Sequence, residues 1–215
     1  MALKIHEYPN QALTLNKGDF FDIDKDVNED GSLYQTNKVA WETIKSQFHL
    51  MTQIEVSASL TGIIKQSLIG AYLGTLEVPE NGFKVGDTFH MNMSGLLRSA
   101  DNETIEVFIE TATGVILAQT GLITLPTITN KVWEMELDFV VRAIGVAGVA
   151  QIATTGEFTY NKDSNDRFEG KGFFSINAST FDTTISNTLD VKVQFGSTNG
   201  TNRINSQITY LNKKY

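Results

Sequence analysis

The chain contains no cysteine. That absence removes disulfide frameworks, thiolate zinc sites, iron–sulfur clusters and thiol nucleophiles together. Histidine is nearly as scarce: His6, His49 and His90 are the only three, far apart in sequence, so a histidine metal centre is not expected. Positive charge is also short, with 17 Lys and Arg against 25 Asp and Glu and a formal charge of −8. The pI is about 4.9. No basic run offsets this locally, so the surface repels phosphate backbones and nucleic-acid binding is disfavoured. No apolar stretch approaches the roughly 18 residues of a membrane span. The start, Met-Ala-Leu-Lys-Ile-His-Glu-Tyr-Pro-Asn, has no apolar h-region behind a basic segment, so the reading is a soluble, cytosolically made protein without membrane insertion. Proline is rare, 3 against 17 glycines, which suits a sheet-dense body with tight turns.

What is present is ordinary globular material: 215 residues, 41% hydrophobic and 20% charged, with mean hydropathy −0.13. This length accommodates one large domain, or a small element attached to a medium one, and buries a core without staples. Residues 1–53 differ in texture from the rest, being rich in Asp, Asn and Lys with short apolar runs. They hold the one helical pattern. Thr36 or Asn37 can cap a helix in which Val39, Ala40, Ile44 and Phe48 recur at helical spacing, with Trp41 beside them. About three turns long, it has too little apolar surface to stand alone, so 1–53 is expected to dock on something else.

From about residue 54 the period becomes two. Phe89, Met91 and Met93 alternate with polar residues; Ile105, Val107 and Ile109 follow; then Trp133, Met135, Leu137, Phe139 and Val141 alternate with Glu134, Glu136, Asp138, Val140 and Arg142. Leu189, Val191, Val193 and Phe195 run into Asn199-Gly200, a hairpin-turn dipeptide, and Ile204, Ile208 and Tyr210 run out. Roughly ten strands result, near 56–65, 67–78, 87–97, 104–111, 114–124, 131–145, 149–160, 167–178, 184–196 and 203–213. No helices alternate with them, so the expectation is an all-β, antiparallel, jelly-roll-like sandwich over 54–215 with a small N-terminal segment containing one short helix.

Four constellations bear on chemistry. Asp26-Val-Asn28-Glu-Asp30-Gly31-Ser-Leu33 has oxygens at alternate positions and glycine at the sixth place, as in calcium loops of the EF-hand type. The twelfth position is Asn37, where a bidentate carboxylate is needed, and Gly18 to Asp24 reads as a strand instead of an entering helix. A β-turn over Asn28–Gly31 between two short strands is therefore favoured, with Asp26, Asn28 and Asp30 as the weaker calcium candidate and no cofactor otherwise expected. Glu134, Glu136 and Asp138 share one strand face at about 6–7 Å steps, a spacing that overlaps that of paired glycosidase carboxylates. They point away from the apolar face, so a solvated sheet face or subunit rim is favoured and no catalytic residue is assigned. No Gly-x-Ser-x-Gly or hydrolase triad is visible, and Gly145–Gly148 and Gly170–Gly172 lack the following helix of a phosphate loop. Phe173, Phe174 and Phe181 could stack sugars, but alternating aromatics in strands are more often core.

The segments Gly74-Thr-Leu-Glu-Val-Pro-Glu-Asn-Gly-Phe-Lys-Val-Gly-Asp-Thr-Phe89 and Phe181-Asp-Thr-Thr-Ile-Ser-Asn-Thr-Leu-Asp-Val-Lys-Val-Gln-Phe-Gly196, ending in Ile208-Thr-Tyr-Leu-Asn-Lys-Lys-Tyr215, resemble the jelly-roll head domain of bacteriophage virion fibre and spike proteins. Leu13 to Asp22, continuing through Lys38-Val-Ala-Trp-Glu-Thr-Ile44, resembles the short attachment region preceding such domains. The resemblance spans most of the chain and carries no catalytic signature. It implies a non-enzymatic virion structural protein, a short head or tail fibre subunit that decorates the particle, assembled in the host cytoplasm as a homotrimer. On this reading 1–53 anchors to other virion proteins and the head contacts a host surface glycan or protein. Trimerisation would also give Ile63, Ile64, Leu68, Ile69 and Leu73 a place at a subunit contact. The alternatives are a free carbohydrate-binding, lectin-like module and, behind it, a polysaccharide depolymerase using Glu134 and Glu136.

Overall fold

Strict alternation of apolar and polar residues builds a sheet only if each strand finds partners in register, and this chain supplies them over long distances. A computed structural model describes residues 20–26, 34–40, 49–163 and 167–214. It divides the chain into two compact units, 1–48 and 49–215. In the first, β1 (Phe20–Asp26) and β2 (Tyr34–Ala40) pair antiparallel from Phe20↔Ala40 to Asp26↔Tyr34. The proposed helix start is thereby overturned: Thr36, Asn37, Val39 and Ala40 are extended in β2. Helical spacing in a window this short is weak, and antiparallel pairing with β1 overrides it. The remainder of that helix, through Trp41, Ile44 and Phe48, lies outside the described residues.

The second unit is an all-β sandwich of two antiparallel sheets. Its strands are β3 (His49–Gln53), β4 (Gln66–Ser67), β5 (Tyr72–Gly74), β6 (Glu77–Val78), β7 (Thr88–Ser99), β8 (Glu103–Thr111), β9 (Ile116–Gln119), β10 (Ile123–Leu125), β11 (Ile128–Ala143), β12 (Gln151–Asn161), β13 (Phe168–Asn177), β14 (Asn187–Phe195) and β15 (Arg203–Lys213). One sheet runs β13-β12-β11-β7-β15-β3-β5; the other runs β10-β8-β14-β4, with β9 also on β8 and β6 also on β14. β3 belongs here through its pairing with β15, so His49–Gln53, grouped with the N-terminal segment by texture, is part of the sandwich.

The inward faces meet in a single core. Met91, Met93 and Leu97 of β7 and Trp133, Met135 and Leu137 of β11 come from one sheet; Ile105, Val107 and Ile109 of β8 and Val191, Val193 and Phe195 of β14 come from the other; none is more than 1% exposed. Burial of this kind stabilises by about 25 cal/mol per Å2 of apolar surface. Trp133 also shows why Gly95 has no side chain. Gly95 lies opposite Trp133 on the intervening strand, and the indole Nε1 reaches past it to donate to the Asn205 carbonyl on β15 at 2.9 Å. A Cβ at Gly95 would stand 1.9 Å from that same oxygen.

Three expectations about strands are corrected. First, 56–65 and 67–78 do not form long strands. This stretch changes partners, bonding Ser57 and Leu60 to β15 of one sheet and Leu68 to β14 of the other, so it straps the sandwich closed in short pieces. Second, β14 and β15 do not pair as a hairpin, because they belong to different sheets. The turn exists, with Asn202 N–H donating to the Asn199 carbonyl, but neither Asn199 nor Gly200 has positive φ. Third, a bulge between Ser206 and Ile208 flips the alternation of β15. Ile204 is core, whereas Ile208 is 57% exposed and Tyr210 is half-buried on the outer face; Thr209 and Leu211 take the inner positions.

Candidate functional site

The outer face of the seven-stranded sheet is the broadest surface on which the fold gathers chemically capable side chains. Register places them without ambiguity. Along β11 stand Val132, Glu134, Glu136 and Asp138. β12 sets Thr159, Glu157 and Thr155 opposite the last three, and β7 sets Leu96, Ser94, Asn92 and His90 opposite all four. The acidic row of β11 is therefore on the solvent side, as its alternation with buried Trp133, Met135 and Leu137 requires.

Two features give this row its character. Asp138 accepts hydrogen bonds from His90 Nδ1 and from Lys214 Nζ, each at 3.0 Å. Partial burial alone would raise its pKa, but the bonds and charges of Lys214 and His90 outweigh that and hold it below the usual aspartate value. Glu136 instead faces Glu157 directly across the strand pair. Like charges so placed repel. Glycoside hydrolysis needs two carboxylates on opposite sides of a bound sugar, whereas these stand side by side on one sheet face. Among the described residues no group of three or more His, Asp or Glu is arranged to hold a metal ion.

The other sequence candidates are scattered. Asp26 ends β1, while Asn28, Asp30 and the rest of their loop lie outside the described residues; the flanks of that loop are paired strands. Phe181 is core, packed edge-on to Phe83 with ring centroids 5.5 Å apart. Phe173 is half-buried and Phe174 is 62% exposed. Gly145 and Gly148 both have positive φ and turn the chain between β11 and β12. Of the apolar residues offered for a subunit contact, Leu68 is fully buried and Ile69 packs on the core, whereas Ile63, Ile64 and Leu73 are exposed.

Sequence reasoning missed the buried acids. Glu110, on β8, has a side chain only 3% exposed and is held by Lys192 at 2.6 Å and Lys65 at 3.1 Å. Burial pushes its pKa up, but the two ammonium groups bring it below the ordinary glutamate value. Lys65 also lies 3.8 Å from the Phe108 ring centroid, a cation–π contact that ties the strap to the second sheet. Glu103 accepts from Ser197 Oγ and Asn202 Nδ2, pinning the β14–β15 connection, and these bonds likewise lower its pKa against the effect of burial. The only sequence signal was an acidic residue breaking an apolar run, as in Phe108-Ile109-Glu110.

Two concavities lie in the sandwich. An apolar cavity of about 50 Å3 lies between the sheets, lined by Phe83, Phe89, Phe139, Phe181 and Leu117 among others. Ligand pockets occupy roughly 300–1,000 Å3, so this is a packing void and not a ligand site. A shallow cleft of about 210 Å3 runs beside β14, lined by Ser67, Tyr72, Thr188 and Asp190, with Ser67 Oγ donating to Asp190 at 2.6 Å. No helix among the described residues is long and apolar enough to cross a membrane. No protein-family model matches this chain, and no curated protein shows significant similarity to it.

Proposed function

We propose that this chain is a non-enzymatic virion structural protein of a bacteriophage, the subunit of a short head or tail fibre or spike that decorates the particle and contacts the host surface. The reading rests on the resemblance of its segments to fibre heads, and the geometry is in keeping with it. The observation that carries it is how the sandwich distributes its side chains. Its buried acids Glu103 and Glu110 act as pins, while large apolar residues stand exposed on the outer sheet face. Leu96 and Val132 are direct cross-strand partners, 38% and 40% exposed, and Ile208 stands diagonally beside Leu96 on β15. A contiguous exposed apolar group on a sheet face marks an assembly surface. On this reading three copies pack through the head, the N-terminal unit attaches to other virion proteins, and assembly takes place in the host cytoplasm.

Light scattering on the full chain tests the oligomer and is expected to give a mass of three copies or a multiple of three. Replacing Leu96 and Val132 together by lysine should dissociate it without unfolding. Antibodies to the chain should label intact particles. A stable monomer at micromolar concentration, or particles free of label, would overturn the proposal.

A second reading, a carbohydrate-binding module, draws on the cleft beside β14. Tyr72 supplies an exposed aromatic face, and Asp190, Ser67 and Thr188 supply a carboxylate and hydroxyls, the groups that recognise sugars. Glycan-array binding abolished by Tyr72→Ala and Asp190→Ala would favour it. The depolymerase alternative predicts glycan-chain shortening that disappears in Glu136→Gln; unchanged activity in that variant would dismiss it.

A further inference from the structure

We propose that β13 pairs antiparallel with β13 of a second copy about a two-fold axis centred on Gly172, joining two seven-stranded sheets into one continuous sheet. β13 ends its sheet and pairs with β12 over ten consecutive residue pairs, Phe168↔Asn161 to Asn177↔Ile152, with no register shift. Among the described residues no strand pairs with its other edge. The remaining edge strands of the sandwich are two to four residues long: β4 and β6 have 2 each, β5 and β10 have 3 and β9 has 4. Short edges are protected against pairing; a long, regular one without proline is a template for it.

The sequence of this edge is self-complementary. A two-fold axis perpendicular to the joined sheet keeps outer faces together, so residue i meets a residue of its own parity. With Gly172 at the axis, Phe168 faces Ile176 of the second copy and Phe174 faces Gly170, each pair occurring twice on the outer face. Aromatic side chains laid over strand glycines, and aromatic–β-branched pairs, are the favourable cross-strand combinations. The three are exposed large apolar residues, Phe168 at 51%, Phe174 at 62% and Ile176 at 44%. On the inner side Glu169 meets Ser175 and Lys171 meets Phe173, so no like charges are opposed. An axis at Lys171 would set two lysines face to face and shorten the overlap. An axis at Phe173 would leave Phe168 beyond the end of the partner strand. Within one copy Glu169 is already paired with Lys162, and Lys171 Nζ donates to the Leu122 carbonyl at 3.4 Å. The two glycines also differ. A Cβ at Gly170 would meet the Phe158 carbonyl oxygen at 2.1 Å, so its own sheet demands glycine there, whereas at Gly172 the nearest atom is 3.9 Å away. Room therefore exists for a probe at the proposed axis.

The absence of cysteine makes the test clean. Gly172→Cys introduces one thiol that faces its own symmetry mate, at the Cα separations of about 4.5–5.5 Å typical of antiparallel partners, within disulfide range. Under mild oxidation the full chain carrying Gly172→Cys is expected to form covalent dimers on a non-reducing gel. Ser175→Cys, which faces Glu169, should not. Light scattering on Phe174→Lys with Ile176→Lys, both at exposed positions, should show the mass halved with the circular dichroism unchanged. Six copies falling to three would support both this pairing and the trimer; two falling to one would support the pairing and remove the trimer. Three copies unaffected by the lysines, with Gly172→Cys cross-linking no better than Ser175→Cys, would overturn the pairing and leave the trimer standing.

Discussion

Glu110 is the residue whose replacement most directly tests the electrostatic reading of this sandwich. Its carboxylate is 3% exposed and accepts from Lys192 at 2.6 Å and Lys65 at 3.1 Å, while those lysines retain 23% and 34% of their side-chain exposure. In Glu110→Gln the amide oxygen can accept from one lysine, but its NH2 then confronts the other ammonium, so one charge-assisted bond is lost outright and the other weakens. Breaking a fully buried ion pair costs about 3–5 kcal/mol because a charge is stranded. Here the lysines can swing to water, which brings the expected loss down to about 2 kcal/mol, near that of one hydrogen bond to a charged group. Urea unfolding followed by fluorescence should show a lower midpoint at unchanged slope. The pH dependence gives the sharper check. Because the folded state holds the Glu110 pKa below its unfolded value, the stabilisation is present above the ordinary glutamate value of about 4.3 and fades as pH falls through the lower folded value. Wild type and Glu110→Gln should therefore converge in acid. A difference within about 0.5 kcal/mol at neutral pH, the usual range for inert surface changes, or a loss equally large in acid, would refute the argument.

Further expectations follow from packing. Thr209 is fully buried and its hydroxyl has no hydrogen-bond partner among the described residues; Thr209→Val should raise stability by about 1 kcal/mol, since an unpaired buried hydroxyl is costly, and a drop in melting temperature would contradict that. Gly95→Ala should destabilise by about 1–3 kcal/mol through overpacking, because the new methyl collides with the Asn205 carbonyl oxygen; chemical denaturation checks this. Trp133→Phe should cost about 1–2 kcal/mol, from the lost Nε1 bond to Asn205 and the weakened stack on Phe158. Calcium added to chelator-treated protein should leave the melting temperature unchanged, and a rise of several degrees that vanishes on replacing Asp26 and Asp30 by alanine would assign that loop as a metal site.

The sequence by itself determined the strands that lie in the centre of each sheet. β7, β11 and β14 are central, with one face on the shared core, so burial imposes a period of two on their residues and the pattern is readable without coordinates; β8 keeps that period only at its start, since Val107 to Thr111 are all buried. The solvent side of Glu134, Glu136 and Asp138 follows from the same parity. What only the tertiary structure decided are features set by partners distant in the chain. The strap over 54–70 looks strand-like but switches between sheets; Ile208 and Tyr210 turn outward because of a bulge against β7; Asn199-Gly200 links strands of different sheets; and Val39 extends because β1 is beside it. The candidate site divides in the same way. Its acidic row is visible along one strand, but the His90–Asp138–Lys214 cluster and the lysines around Glu110 assemble residues 45 or more positions apart. Local alternation records which face of a strand is buried; which strand lies beside it depends on how the whole chain closes its core, and no short window of sequence contains that information.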